Sequence, residues 1–190
     1  MAVFPVILDS DVLFGINSTN LLMSLGHAGM YRPHWTQAIL EGAERNILRA
    51  RPNIEPAKLR RRFDDMNEAL PDALIEVPPG LEDSMPNHPG DRHVLAAAVF
   101  IGAPTIVTNN LRHFLPRNCE PYGVEAQSAD EFVGHLVSLN PMSVRDVLVA
   151  AASKRMRPPQ STPELVEQMR PMFPVAFAAL EQLVGPPESW

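Results

Sequence analysis

The chain has 190 residues, 45% of them hydrophobic, and a formal net charge of −6. That composition can fill a core, so disorder is not the starting expectation, and it is too acidic overall for a generally cationic nucleic-acid binder. A single cysteine, Cys119, excludes an intramolecular disulfide and zinc sites of the Cys-x-x-Cys kind. With no apolar run of spanning length and no basic leader, the expected setting is the reducing cytoplasm, without a membrane.

The run Val3 to Leu8 is apolar throughout and half β-branched, which predicts a strand buried on both faces and central in its sheet. Ser18 or Thr19 is placed to cap a helix with Leu21, Leu22 and Leu25 on one face. Thr36 is placed to cap the next helix, running to about Leu48, with Ile39, Leu40, Ala43 and Ile47 inward. Pro56 suits the first turn of a third helix that reaches about Leu70. Residues 73–77 read as a second strand, and Pro78 to Gly90, with four prolines, as a loop. Asp91 heads the alanine-rich helix Arg92-His93-Val94-Leu95-Ala96-Ala97-Ala98, which Gly102 ends. Thr105 to Thr108 reads as a third strand and Tyr122 to Ala126 as a fourth, followed by the capping box Ser128-Ala129-Asp130-Glu131. Strands alternating with helices at these spacings predict an α/β fold with a parallel sheet over residues 1–137. Residues 138–190 show no strand pattern and read as helices broken at Pro158-Pro159 and Pro174.

The first strand stops at Asp9-Ser10-Asp11, Asp91 starts a helix, and Thr108-Asn109-Asn110 closes a later strand. In open α/β sheets ligands bind at the carboxyl edge, so oxygen ligands gathered there from distant segments point to a divalent metal such as Mg2+. Each residue alone has a plainer role: the aspartates as turn formers, Asp91 as a helix N-cap, Thr108 as a strand exit. Only their joint arrangement favours chemistry. The six histidines lack a spacing such as His-x-x-x-His and read as surface or locally paired. Seven of the 16 basic residues fall between Arg45 and Arg62. Arg60, Arg61 and Arg62, with Arg45 and Arg49 on the preceding helix, read either as a solvated face or as a strip for RNA phosphates.

Three ordered segments carry a family resemblance: Val6-Ile7-Leu8-Asp9-Ser10-Asp11-Val12-Leu13-Phe14, Asp91 to Ala98, and Ile106-Val107-Thr108-Asn109-Asn110-Leu111-Arg112-His113-Phe114. Over about residues 3 to 132 the chain resembles the PIN-domain ribonucleases and, more narrowly, the VapC-type toxins of bacterial toxin-antitoxin pairs. The tail containing Arg157-Pro158-Pro159 looks like the helical extension of one PIN subgroup. The resemblance implies a PIN-like α/β/α sandwich around a central, mostly parallel sheet, with a C-terminal helical extension. It implies an endoribonuclease dependent on Mg2+ or Mn2+, an RNA substrate and a cognate antitoxin, and leaves a homodimer open. Asp9, Glu41 and Asp91 match the family's metal-binding acids, with Glu44 the alternative to Glu41 and Asp11 an added acid. Thr108 and Asn110 complete the implied catalytic set by orienting water or phosphate.

The sequence departs from the family pattern where Asn110 replaces an aspartate, and Gly42, Asn87 and Gly90 stand near positions where relatives carry acids. A catalytically weak or inactive PIN-fold module that binds RNA or protein is therefore the alternative reading. Asp9-Ser10-Asp11 also resembles the phosphatase motif of the haloacid-dehalogenase superfamily. That family's serine or threonine and its lysine precede the last acidic motif, whereas Thr108 follows Asp91.

Overall fold

The structure, a computed structural model, describes residues 3–155 and 158–190, so Arg157 of the tail motif lies outside the described residues. Two compact units are present, Met1–Ile16 with Tyr31–Ser128, and Asn17–Met30 with Ala129–Trp190. The first is a mixed α/β unit built on a four-stranded sheet. Its strands β1 (Pro5–Leu8), β2 (Arg32–His34), β3 (Thr105–Val107) and β4 (Glu125–Gln127) lie in the order β2-β1-β3-β4, all parallel. Central position explains the unbroken apolar sequence of β1: Val6, Ile7 and Leu8 are fully buried, as are Ile106 and Val107 beside them.

The expected strand over residues 73–77 does not form. That segment contributes one parallel bridge, Leu74 with Trp35, in which Trp35 donates its N–H to the Ala73 carbonyl and Ile75 donates to Trp35. The second strand is Arg32–His34 instead. Arg-Pro-His carries no strand signal of its own; pairing with β1 holds it extended, and Pro33 is tolerated because β2 is an edge strand.

Helix α1 (Ile16–His27) belongs almost wholly to the second unit. In the first unit, α2 (Gln37–Ala50) starts as expected at Thr36, whose hydroxyl accepts the Ile39 N–H at 3.2 Å. It buries Ile39, Leu40, Ala43 and Ile47, and α3 (Pro56–Ala69) packs against it through Leu59, Phe63 and Met66. The loop before Asp91 carries two short turns of 3-10 helix, Leu81–Ser84 and Pro89–Asp91. Helix α4 (Arg92–Ile101) lies on β1 and β3 with Val94 to Ala98 all buried; three consecutive alanines let the helix sit close to the sheet. Gly102, at φ 64°, ends it in the left-handed conformation that glycine adopts without strain. The short α5 (Pro116–Cys119) precedes β4.

The second unit also holds α6 (Ala129–Leu139), α7 (Pro141–Ser153), α8 (Thr162–Met169) and α9 (Pro174–Val184). The break expected at Pro174 is therefore real. Helix α9 lacks a capping side chain of its own; the Asp130 carboxylate accepts the N–H groups of Val175 at 3.1 Å and Ala176 at 2.9 Å. No helix among the described residues is long and apolar enough to cross a membrane.

Candidate functional site

Asp9 follows β1 directly, and its N–H still donates to Val107 at 3.0 Å, so the sheet ladder fixes its backbone. Its side chain is only 2% exposed. Oδ1 accepts the Ser10 N–H at 2.6 Å, and Oδ2 accepts the Thr108 hydroxyl at 2.8 Å. Thr108 is fully buried just past β3, and its hydroxyl also lies 3.4 Å from Asp11 Oδ2 while accepting the Asn110 N–H at 3.1 Å. A hydroxyl carries one proton, so Thr108 satisfies Asp9 and leaves Asp11 to backbone N–H groups, that of Asn109 at 2.9 Å and that of Val12.

These bonds do not offset the cost of burial. Desolvation raises the Asp9 pKa, the Asp91 charge adds to the rise, and the Thr108 and Ser10 hydrogen bonds with the His93 charge oppose it. Asp11 is pushed from its ordinary 3.8 up to about 7, first by burial and next by the negative charge of Asp9, against the lowering effect of the Asn109 N–H. Asp11 Oδ1 is buried with no hydrogen-bond partner among the described residues. Two adjoining carboxylates with too few protein donors form a donor set suited to a hard, oxygen-seeking cation.

Asp91 occupies the N-cap position of α4 but makes no side-chain capping bond, so the plainer capping role does not hold. Its Oδ2 lies 2.5 Å from His113 Nδ1 and 3.7 Å from His88 Nδ1, and the two imidazole rings stack at 4.0 Å with planes 10° apart. Asn110 Nδ2 lies 2.7 Å from His113 Nδ1, and its Oδ1 accepts Arg112 Nε at 3.0 Å. Asn87, itself buried, donates from Nδ2 to the Asp91 carbonyl at 3.1 Å and holds this turn in place. Reading the histidines only for the His-x-x-x-His pattern misses this cluster. The available signals are two three-residue spacings, His88 before Asp91 and His113 after Asn110.

The network therefore joins Asp9, Asp11, Thr108 and Asn110, with Asp91 attached through His113. Glu41 stands outside it: it is exposed one turn into α2 and accepts a bond from Gln37 Nε2 at 3.2 Å. Glu44 is paired with Arg60 at 3.4 Å. The α2 residue that faces the site is Gly42, where a Cβ would lie 3.4 Å from the Ser10 Cβ. Arg62 turns inward and donates to the Leu13 carbonyl at 2.9 Å, so it supports the loop after Asp11, while Arg45, Arg49 and Arg61 are exposed. A cleft of about 380 Å³ lined by Thr36, Gln37, Ile75, Val77 and His93 lies in the same unit.

A parallel sheet whose carboxyl edge collects the buried Asp9 and the half-buried Asp11 and Asp91 from separate segments defines an α/β unit with an acid-centred candidate metal site. Over 103 residues the chain is 34% identical to a curated relative from Mycobacterium tuberculosis named "Putative ribonuclease VapC50". That match covers 54% of this chain and 60% of the relative, so the chain spans less than two thirds of the relative's length. The similarity supports the VapC-type PIN family to which the three sequence segments point. No protein-family model and no solved structure matches the chain.

Proposed function

We propose that the chain is a metal-dependent endoribonuclease of the VapC type, acting in the cytoplasm and held in check by a cognate antitoxin. The observation that carries this reading is the Asp9–Thr108–Asp11 cluster, where a buried hydroxyl spans two carboxylates whose pKa values are raised by burial and by a neighbouring carboxylate, Asp91 for Asp9 and Asp9 for Asp11. Asp9, Asp11 and Asp91 would hold Mg2+ or Mn2+, with Glu41 reaching in only after leaving Gln37. When bound, such an ion polarises the phosphodiester and activates a water.

The chain's own residues have separable tasks. Thr108 fixes Asp9 by donating to it and fixes the following loop by accepting the Asn110 N–H. Asn110 and His113 hold the Asp91 side of the site and are positioned to orient a phosphate or a water. The exposed Arg45, Arg49 and Arg61 supply the positive charge that an RNA backbone requires on an otherwise acidic chain. An antitoxin that covers this site would do so most economically with an arginine, which pairs bidentately with carboxylates.

The bond between Asp91 and His113 favours a second reading, a PIN-fold module that binds RNA or protein without cutting it. Incubating the purified full chain with total RNA and Mn2+ separates the two. Cleavage that chelation abolishes supports the nuclease, whereas RNA retention without cleavage selects the binding module.

A further inference from the structure

We propose that His88, Asp91 and His113 form a binding site for a borderline transition-metal ion of the zinc class, distinct in donor chemistry from the Asp9–Asp11 pair and sharing Asp91 with it. One ligand atom from each residue lies within 4.8 Å of the other two. Both Nδ1 atoms lie near the same carboxylate oxygen, at 2.5 Å from His113 and 3.7 Å from His88. A simple His113–Asp91 pair would not need the second ring, yet His88 stacks face to face on the first.

The hydrogen bonds at His113 Nδ1 conflict, so this nitrogen is not committed to one protein partner. Nδ1 has one in-plane position, which carries either a proton or a lone pair. It faces an acceptor, Asp91 Oδ2, and a donor, Asn110 Nδ2 at 2.7 Å, and Arg112 on the Asn110 Oδ1 keeps the amide turned that way. Neither state of the ring satisfies both neighbours. A cation between Nδ1 and Oδ2 engages both of those lone pairs, and the Asn110 amide, left without an acceptor there, must turn away.

Two imidazole nitrogens and one carboxylate oxygen suit zinc and its neighbours, whereas Mg2+ prefers oxygen throughout. Ligand bonds of about 2.1 Å in a tetrahedron place donor atoms about 3.4 Å apart, so the His113–Asp91 contact must open by about 0.9 Å and the His88–Asp91 contact close by about 0.3 Å. The stacked rings send their lone pairs side by side rather than toward one point, so His88 must rotate. Its side chain is 53% exposed and accepts a single bond from the Gly90 N–H at 3.2 Å, so little opposes that rotation. Occupancy would draw Asp91 away from Asp9; that consequence rests on the nuclease reading, while metal binding does not.

The test is calorimetric titration of the metal-free full chain with Zn2+, alongside the visible spectrum of the Co2+-loaded protein, for wild type, His88→Ala and His113→Ala. Wild type should bind one Zn2+ at this site that a large excess of Mg2+ does not displace. Each variant should lose about tenfold or more in affinity and the Co2+ bands of a nitrogen-containing site. Circular dichroism checks folding, and His88, being exposed, remains decisive if His113→Ala unfolds. No Zn2+ binding by wild type, ready displacement by Mg2+, or unchanged affinity in the folded variants would overturn the proposal. Loss of the nuclease reading through absent RNA cleavage would leave these readouts untouched.

Discussion

Replacing Asp11 by asparagine should stabilise the metal-free protein at alkaline pH. The Asp11 carboxyl is raised from 3.8 to about 7, so the folded state keeps a proton that the unfolded chain releases. The sign follows: this group contributes most stability below pH 4, loses it as pH rises to about 7, and is level above that. The full displacement corresponds to a penalty of about 4 kcal/mol at pH 8, and about 1 kcal/mol returns when the Asn109 N–H meets a neutral acceptor in place of a charged one. A net gain of about 2–3 kcal/mol raises Tm by about 4–12 °C in a chain of this size. At pH 5 the penalty is only about 1.6 kcal/mol, so the two proteins should melt within a few degrees of each other. Excess Mn2+ should reverse the order at pH 8, because the wild type gains binding energy that the variant lacks. Thermal melts followed by circular dichroism at both pH values, with and without Mn2+, give all four comparisons. Equal melting temperatures at pH 8 in metal-free buffer would refute the claim that Asp11 is held at a cost.

Thr108→Val keeps the shape of a buried side chain and removes the hydroxyl that Asp9 accepts, leaving a carboxylate oxygen short of a donor; melts at pH 8 should show a loss of about 1.5–3 kcal/mol. Cleavage assays with Glu41→Gln and Glu44→Gln distinguish the two acids of α2. If Glu41 completes the metal set, its variant should need more Mn2+ for half-maximal rate while Glu44→Gln, which disturbs only the exposed Arg60 pair, behaves as wild type. Arg62→Ala should destabilise through the Leu13 carbonyl that it leaves half-buried and unpaired, by about 1–3 kcal/mol in chemical denaturation, with little effect on Mn2+ affinity.

The carboxyl edge was legible because it follows from patterns that one strand declares alone. Val6 to Leu8 is apolar on both faces and Asp9 is the first polar residue after it, so a buried central strand must present that carboxylate at its end. Asp91 and Thr108 were legible for the same reason, as polar punctuation beside an alanine-rich helix and a β-branched strand. Strand β2 was not legible: Arg32, Pro33 and His34 adopt an extended form only because β1 pairs with them, a tertiary effect that residue preference does not carry. Residues 73–77 show the converse, a strand-like composition that ends as a single bridge to Trp35. The histidine cluster was hidden because 25 positions separate His88 from His113, and only the placement of two loops beside Asp91 stacks the rings. Side-chain direction on α2 was also beyond reach, since nothing in the order Glu41-Gly42 tells which residue meets Ser10.

The central claim, that Asp9 anchors a divalent ion used to cut RNA, is tested most directly by cleavage of total cellular RNA with the purified full chain and its Asp9→Asn variant, in Mn2+ and in chelator. The wild type should produce discrete fragments only with the metal, and the folded variant should produce none under either condition. Fragments from Asp9→Asn at the wild-type rate, or wild-type cleavage that persists in chelator, would contradict the account.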